Sequence, residues 1–159
     1  MTENFPETMG QVATGERRQT VLVVDDEPDL RSLVANVLTE YGYKVLTAID
    51  GAEGIAIYAR HQSEISAVLT DMTMPVMDGT TTIRALLRIN PTVKIIAASG
   101  LNVNGGLSKV FEMGVKHTIV KPYTAETLLN ILDQILAPRR VTSLVPSTLG
   151  IVKLAIPPS

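Results

Sequence analysis

Four places in the chain carry side chains whose types could do chemistry together, and each directly follows a short apolar run. Asp25-Asp26 follow Val21-Leu22-Val23-Val24, Asp71 follows Ala67-Val68-Leu69-Thr70, Ser99 follows Val93–Ala98, and Lys121 follows His117–Val120. Brought to one place, these are three carboxylates, one hydroxyl and one ammonium. Three clustered carboxylates repel one another unless a cation sits among them. A set of oxygen donors without His or Cys suits a hard ion, with Mg²⁺ the best match. A carboxylate beside Mg²⁺, an ammonium and a hydroxyl can attack phosphorus, giving an aspartyl phosphate. Mg²⁺ and Lys121 would then offset charge on the transferring phosphoryl oxygens.

Taken singly, each group has plainer employment. Asp25 and Asp26 would serve as caps for a following helix, where acids favour the positive end of the dipole. Asp71 alone reads as a turn residue, Ser99-Gly100 as a turn, and Lys121-Pro122 as a bend before a helix. It is their order along the chain, one at each strand end, that argues for the joint reading.

The elements that must position these groups follow a repeated grammar. Val21–Val24 is a continuous β-branched apolar run and predicts a strand covered on both faces. Pro28 is placed for the first turn of a helix, whose apolar residues Leu30, Leu33, Val34, Val37, Leu38 and Tyr41 recur at helical spacing until Gly42 stops it. Lys44–Ala48 predicts a second strand, and Ala52, Ile55, Ala56 and Ala59 a weaker second helix. Strands over 67–70, 93–98 and 117–120 alternate with helices marked by Ile83, Leu86 and Leu87, by Leu107, Val110 and Phe111, and by Leu128–Leu136. Gly105, Gly106, Asn102 and Asn104 lower helix propensity around the fourth helix. Five β–α units with strands buried on both faces predict an α/β fold, an open doubly wound parallel sheet wrapped by helices. In such a sheet, ligands bind beyond the carboxyl ends of the strands, which is where the four chemical positions fall.

Composition narrows the classes. The 159 residues are 45% hydrophobic and 19% charged with a net charge of −2, so the chain is neither of the disordered type nor globally attractive to nucleic acid. The absence of cysteine removes disulfides, zinc ribbons and thiol catalysis, and two histidines argue against a His-rich metal site. No apolar run approaches the ~18 residues of a membrane span. The beginning, Met1-Thr2-Glu3-Asn4, lacks a basic segment followed by an apolar one, so the expected location is cytoplasmic. Charge divides the chain: residues 1–20 carry −1, residues 21–137 carry −4 and residues 138–159 carry +3. The expected organisation is a flexible lead over 1–20, one domain over 21–137, and a tail over 138–159 too short for an output domain.

Four segments together resemble the receiver domain of two-component response regulators: Val21–Glu27, Leu69–Gly79, Ala97–Gly100 and Val120–Tyr123. The resemblance implies a flavodoxin-like sheet of order 2-1-3-4-5 with five helices. It implies Asp71 as the phosphoacceptor and Asp25 and Asp26 as the acidic pair holding Mg²⁺, with Asp26 the more direct ligand. It further implies that Thr73 offers the metal its backbone carbonyl, that Ser99 is the switch hydroxyl, and that Lys121 pairs with the phosphoryl oxygens. The Lys121-Pro122 peptide is implied to be cis. The implied donor is a histidine kinase or a histidine phosphotransfer protein. The implied output surface is helix four, strand five and helix five, through which members of the family also form homodimers. The implied role is a phosphoacceptor switch and not a turnover enzyme, with no nucleic-acid or membrane partner.

Two positions depart from the family pattern. An aromatic switch residue is expected three places before the lysine, and Thr118 stands there, with His117 and Tyr123 the nearby rings. Leu101, two places past Ser99, cannot position a water by hydrogen bonding, so the expectation is slow autodephosphorylation. Gly15-Glu16-Arg17 before the first strand is similar to the entry into receivers fused behind histidine kinases, which leaves a standalone regulator and a hybrid-kinase receiver both open. A haloacid-dehalogenase-like phosphohydrolase would also phosphorylate an aspartate. Those enzymes place a second Asp two residues beyond the nucleophile as general acid, and here that residue is Thr73. A phosphate-independent interaction domain is opposed by the complete set of Asp25, Asp26, Asp71, Ser99 and Lys121.

Overall fold

The computed structural model describes residues 18–100 and 106–136. The expectations for residues 1–17, for Leu101 with the Asn/Gly stretch through Gly105, and for the 138–159 tail lie outside the described residues. Along the chain run β1 (Thr20–Val24), α1 (Pro28–Glu40), β2 (Lys44–Ala48), α2 (Gly51–Arg60), β3 (Ile65–Asp71), α3 (Gly79–Ile89), β4 (Ile95–Ser99), α4 (Gly106–Glu112), β5 (His117–Val120) and α5 (Ala125–Leu136). All neighbouring strands pair in parallel, in the order β2-β1-β3-β4-β5. This is the open doubly wound sheet that the residue pattern predicts, in the flavodoxin-like order that the resemblance implies.

The alternation of side chains along each strand divides the core into two layers. Leu22, Val24, Val68 and Ala97 face α2 and α3 with Tyr58, Ile83 and Leu86, joined by Val110 of α4. Val21, Val23, Leu69, Ile96 and Ile119 face α1 and α5 with Val34, Leu38, Leu128 and Leu132. The central strands β1 and β4 are buried along their whole length, whereas the edge strands β2 and β5 expose part of theirs. That contrast explains why the central strands read as unbroken apolar runs.

Helix boundaries follow local chemistry. The first helix ends as Gly42 enters the left-handed region at φ +95°, its N–H donating to the Thr39 carbonyl while that of Tyr43 donates to Leu38. The cap position of α1 is Glu27, whose own side chain makes no cap bond, but Asp25 accepts the Glu27 N–H at 2.9 Å and so serves the helix start from two residues upstream, whereas Asp26 makes no such bond among the described residues. Helix α2 is started by its cap residue, the Asp50 carboxylate accepting the Glu53 N–H, while the Glu53 carboxylate reaches back to accept the Ile49 N–H just before the cap. Asp78 caps α3 by accepting the Thr81 N–H. Against the predicted 67–70 and 93–98, the third strand starts two residues earlier and the fourth two residues later, and both run one residue further at the carboxyl end, so Asp71 and Ser99 are themselves the last residues of β3 and β4. Among the described residues no helix is long and apolar enough to cross a membrane.

Candidate phosphoacceptor site

Strand order decides what meets. Because β1, β3, β4 and β5 are consecutive neighbours in the sheet, their carboxyl ends bring Asp25, Asp71, Ser99 and Lys121 to one edge. Backbone bonds tie these ends together: Lys121 N–H donates to the Ser99 carbonyl at 2.7 Å, Met72 N–H to Ala98 at 2.8 Å and Asp25 N–H to Ala48 at 3.1 Å. The Lys121-Pro122 peptide is cis.

The Lys121 ammonium stands between two carboxylates, 3.3 Å from Asp25 Oδ2 and 3.3 Å from Asp71 Oδ2, with Glu27 Oε1 at 4.0 Å. Asp25 and Asp71 are each only 5% exposed. The sequence treats Asp25 and Asp26 as a pair, but the structure separates them: Asp25 is buried and bonded, Asp26 is solvent-exposed. Carboxylate oxygens of Asp25, Asp26 and Asp71 nevertheless lie within 4.8 Å of one another, a spacing that suits a hard divalent cation bound by oxygen. Ser99, 1% exposed, has a buried hydroxyl oxygen with no hydrogen-bond partner among the described residues. An unpaired buried hydroxyl is costly, and a group that binds at this edge would satisfy it.

Electrostatics follow from burial. Desolvation pushes the Asp71 carboxyl above its ordinary range. The Thr73 N–H, which donates to Oδ1 at 3.2 Å, and the Lys121 charge pull the other way without prevailing. Burial lowers the proton affinity of Lys121, but the neighbouring charges of Asp71 and Asp25 outweigh it and raise the net value, keeping the ammonium charged. Burial, and then the Asp25 and Asp71 charges, push the Tyr123 phenol up to about 12. The result is a buried carboxylate made more basic than usual beside a firmly protonated lysine, which suits a nucleophile.

Thr73 is exposed next to Asp71, its N–H engaged with that carboxylate. Thr118 is half-buried in β5 opposite Ala97, and His117 is half-buried opposite Ile96. Tyr123 packs against the core layer beneath α1 and α5.

Three contributors were not singled out from sequence. Arg31 of α1 donates from Nη1 to the Asp25 carbonyl at 2.7 Å. Its signal was available, since helical side chains lean toward the N-terminus and Arg31 is the fourth residue of α1. Glu27 adds a fourth carboxylate at the rim. Gly79 lies against the end of β3, where a Cβ would fall 2.7 Å from the Asp71 carbonyl oxygen and 2.6 Å from Met72 Cα.

The model of the response regulator receiver domain matches residues 21–133. The chemotaxis protein CheY of Treponema pallidum is 31% identical over 139 residues, covering 84% of this chain and 96% of that protein. Among solved structures, the CheX–CheY–BeF₃–Mg²⁺ complex of Borrelia burgdorferi is similar with a TM-score of 0.69 and 29% identity, covering 74% of this chain and 88% of that one. The receiver domain of a Pseudomonas aeruginosa sensor histidine kinase, described with magnesium coordinated in its active-site cleft, is similar with a TM-score of 0.68 and 26% identity. It covers 75% of this chain and 98% of that one.

Proposed function

We propose that this chain, which belongs to the response regulator receiver domain family, takes a phosphoryl group onto Asp71 and passes the change to a protein partner. The observation that carries the reading is the Lys121 ammonium held 3.3 Å from Asp71 Oδ2 beside the buried, unpartnered Ser99 hydroxyl. In the reaction an Asp71 oxygen attacks phosphorus and the bond to the donor breaks with its electron pair going to the leaving group, which departs as an imidazole protonated from solvent when the donor is a phosphohistidine and as a free carboxylate when it is an acyl phosphate. The donor is a phosphohistidine on a histidine kinase or a histidine phosphotransfer protein, or a small acyl phosphate. Asp25, Asp26 and Asp71, with the Thr73 backbone carbonyl, hold Mg²⁺, a reading supported by their spacing and by the magnesium described for the Pseudomonas relative. Bound there, Mg²⁺ supplies positive charge to the phosphoryl oxygens. Lys121 pairs with one of those oxygens, and Ser99 turns its hydroxyl to another.

The product is a switch state, not a released metabolite. The surface of α4, β5 and α5 transmits it and supports homodimer formation; exposed Phe111 and Val120 lie on that side of the molecule. Thr118 leaves this surface without the usual ring toggle. The receiver domain occupies 21–137, with Thr20 joining it as the first residue of β1, and works in the cytoplasm.

Intact mass after incubation with Mg²⁺ and acetyl phosphate tests the reading beside Asp71→Asn. One labile phosphoryl group on the wild type and none on the variant is expected. An adduct that survives in Asp71→Asn would move the acceptor elsewhere, and no adduct on either protein would remove phosphoryl transfer from the account.

A further inference from the structure

Asp25 is fixed at every polar atom it has. Its N–H donates to the Ala48 carbonyl at 3.1 Å, its Oδ1 accepts the Glu27 N–H at 2.9 Å and its Oδ2 pairs with Lys121 at 3.3 Å. Its carbonyl accepts the Arg31 guanidinium at 2.7 Å. Asp26 is the opposite case. It is exposed, and its carboxylate makes no hydrogen bond or ion pair with any described residue. The place of the Asp26 side chain is therefore set by its backbone alone. The peptide that carries it begins at the carbonyl gripped by Arg31.

We infer that Arg31 is a positioning residue for the divalent-cation site: by clamping the Asp25–Asp26 peptide it holds the Asp26 carboxylate ready beside Asp25 and Asp71. The inference rests on the phosphoacceptor reading above, in which Asp26 is a metal ligand. A charge-assisted bond to a carbonyl is among the stronger hydrogen bonds, and a planar guanidinium half-buried on a helix has little freedom to lose. Groups that orient metal ligands without touching the ion commonly govern affinity by about tenfold or more.

Charge alone makes the contrary prediction, and this separates the two roles. Among the described residues, four carboxylates, Asp25, Asp26, Glu27 and Asp71, stand at the site with two cations, Lys121 and Arg31. Removing a cation from such a cluster strengthens its attraction for another cation. If Arg31 acted only through its charge, Arg31→Ala would bind divalent ions more tightly; if it positions Asp26, the same variant binds them more weakly.

The test is Mn²⁺ affinity by electron paramagnetic resonance, with Mg²⁺ as competitor, for wild type, Arg31→Ala, Arg31→Met and Arg31→Lys. The expected result is about tenfold weaker binding in Arg31→Ala and Arg31→Met, with most of the loss recovered in Arg31→Lys, which keeps a donor. Arg31→Met retains a long stem and carries the test if Arg31→Ala does not fold. Unchanged or tighter binding in the folded variants overturns the inference. Acetyl phosphate labelling of the wild type stands beside it. Labelled, Mn²⁺-binding wild type with indifferent Arg31 variants refutes the positioning role alone. A wild type that neither labels nor binds Mn²⁺ refutes the phosphoacceptor reading and this inference with it.

Discussion

Lys121 Nζ lies 3.3 Å from Asp71 Oδ2, bridging the ends of two strands that are not themselves adjacent, with β4 between them. The ammonium is shared with Asp25 at the same distance. One cation thus holds apart two buried carboxylates that would otherwise face each other in a poorly solvated pocket, and it does so at the point where phosphoryl charge would arrive.

Removing that cation exposes the cost of the arrangement. Lys121→Ala leaves Asp25 and Asp71 buried without their partner, and a loss of about 2 kcal/mol in unfolding free energy at neutral pH is expected in chelator-treated protein. On the proposed metal site, millimolar Mg²⁺ is expected to restore part of it, because a divalent ion would replace the missing charge. Urea unfolding with and without Mg²⁺ measures both; equal midpoints for wild type and variant in chelator would contradict the shared-cation account.

The raised proton affinity of Asp71 has a sign that can be measured. Its folded value lies above its unfolded one, so the folded state holds the proton more tightly, and stability declines as pH rises from the unfolded value through the folded one. The ionised carboxylate is therefore a burden on the metal-free fold at neutral pH. Asp71→Asn is expected to raise the melting temperature at pH 7 in chelator. The gain should shrink as pH falls below the folded value and Asp71 takes up its proton. A variant less stable than wild type at pH 7 would contradict this.

Asp78 behaves in the opposite direction. The Thr81 N–H it accepts as cap of α3 lowers its proton affinity, so its contribution is present above the unfolded value and lost as pH falls through the folded one. Asp78→Ala should cost about 1 kcal/mol at pH 7. The difference from wild type should close in acid, as followed by urea unfolding at a series of pH values.

Gly79 is a steric requirement of the backbone at Asp71. A Cβ there would fall 2.6 Å from Met72 Cα and 2.7 Å from the Asp71 carbonyl oxygen, distances that main-chain atoms cannot relieve by rotating. Gly79→Ala is expected to destabilise by about 3 kcal/mol and to slow labelling by acetyl phosphate, since the end of β3 must shift. Wild-type labelling rate in a folded Gly79→Ala protein would show that Asp71 tolerates the displacement.

Much of the molecule was written locally. The apolar runs of β1 and β4 signal strands buried on both faces. The spacing of Leu30, Val34 and Leu38 signals α1, and Gly42 marks its end, because burial periodicity and backbone conformational limits act over a few residues. The set of Asp25, Asp26, Asp71, Ser99 and Lys121 could be named from its place after those runs. What tertiary structure alone decided is how these residues divide the work. Parallel crossovers bring β1, β3, β4 and β5 side by side, and only then does one lysine reach two carboxylates. Burial, which depends on neighbours from distant elements, made Asp25 a fixed and bonded group and left Asp26 in solvent. The grip of Arg31 on the Asp25 carbonyl and the press of Gly79 against β3 are likewise contacts of a few ångströms, set by how helices dock on the sheet. Residue type and spacing determine which chemistry is available; non-local packing determines which atom stands where it can be used.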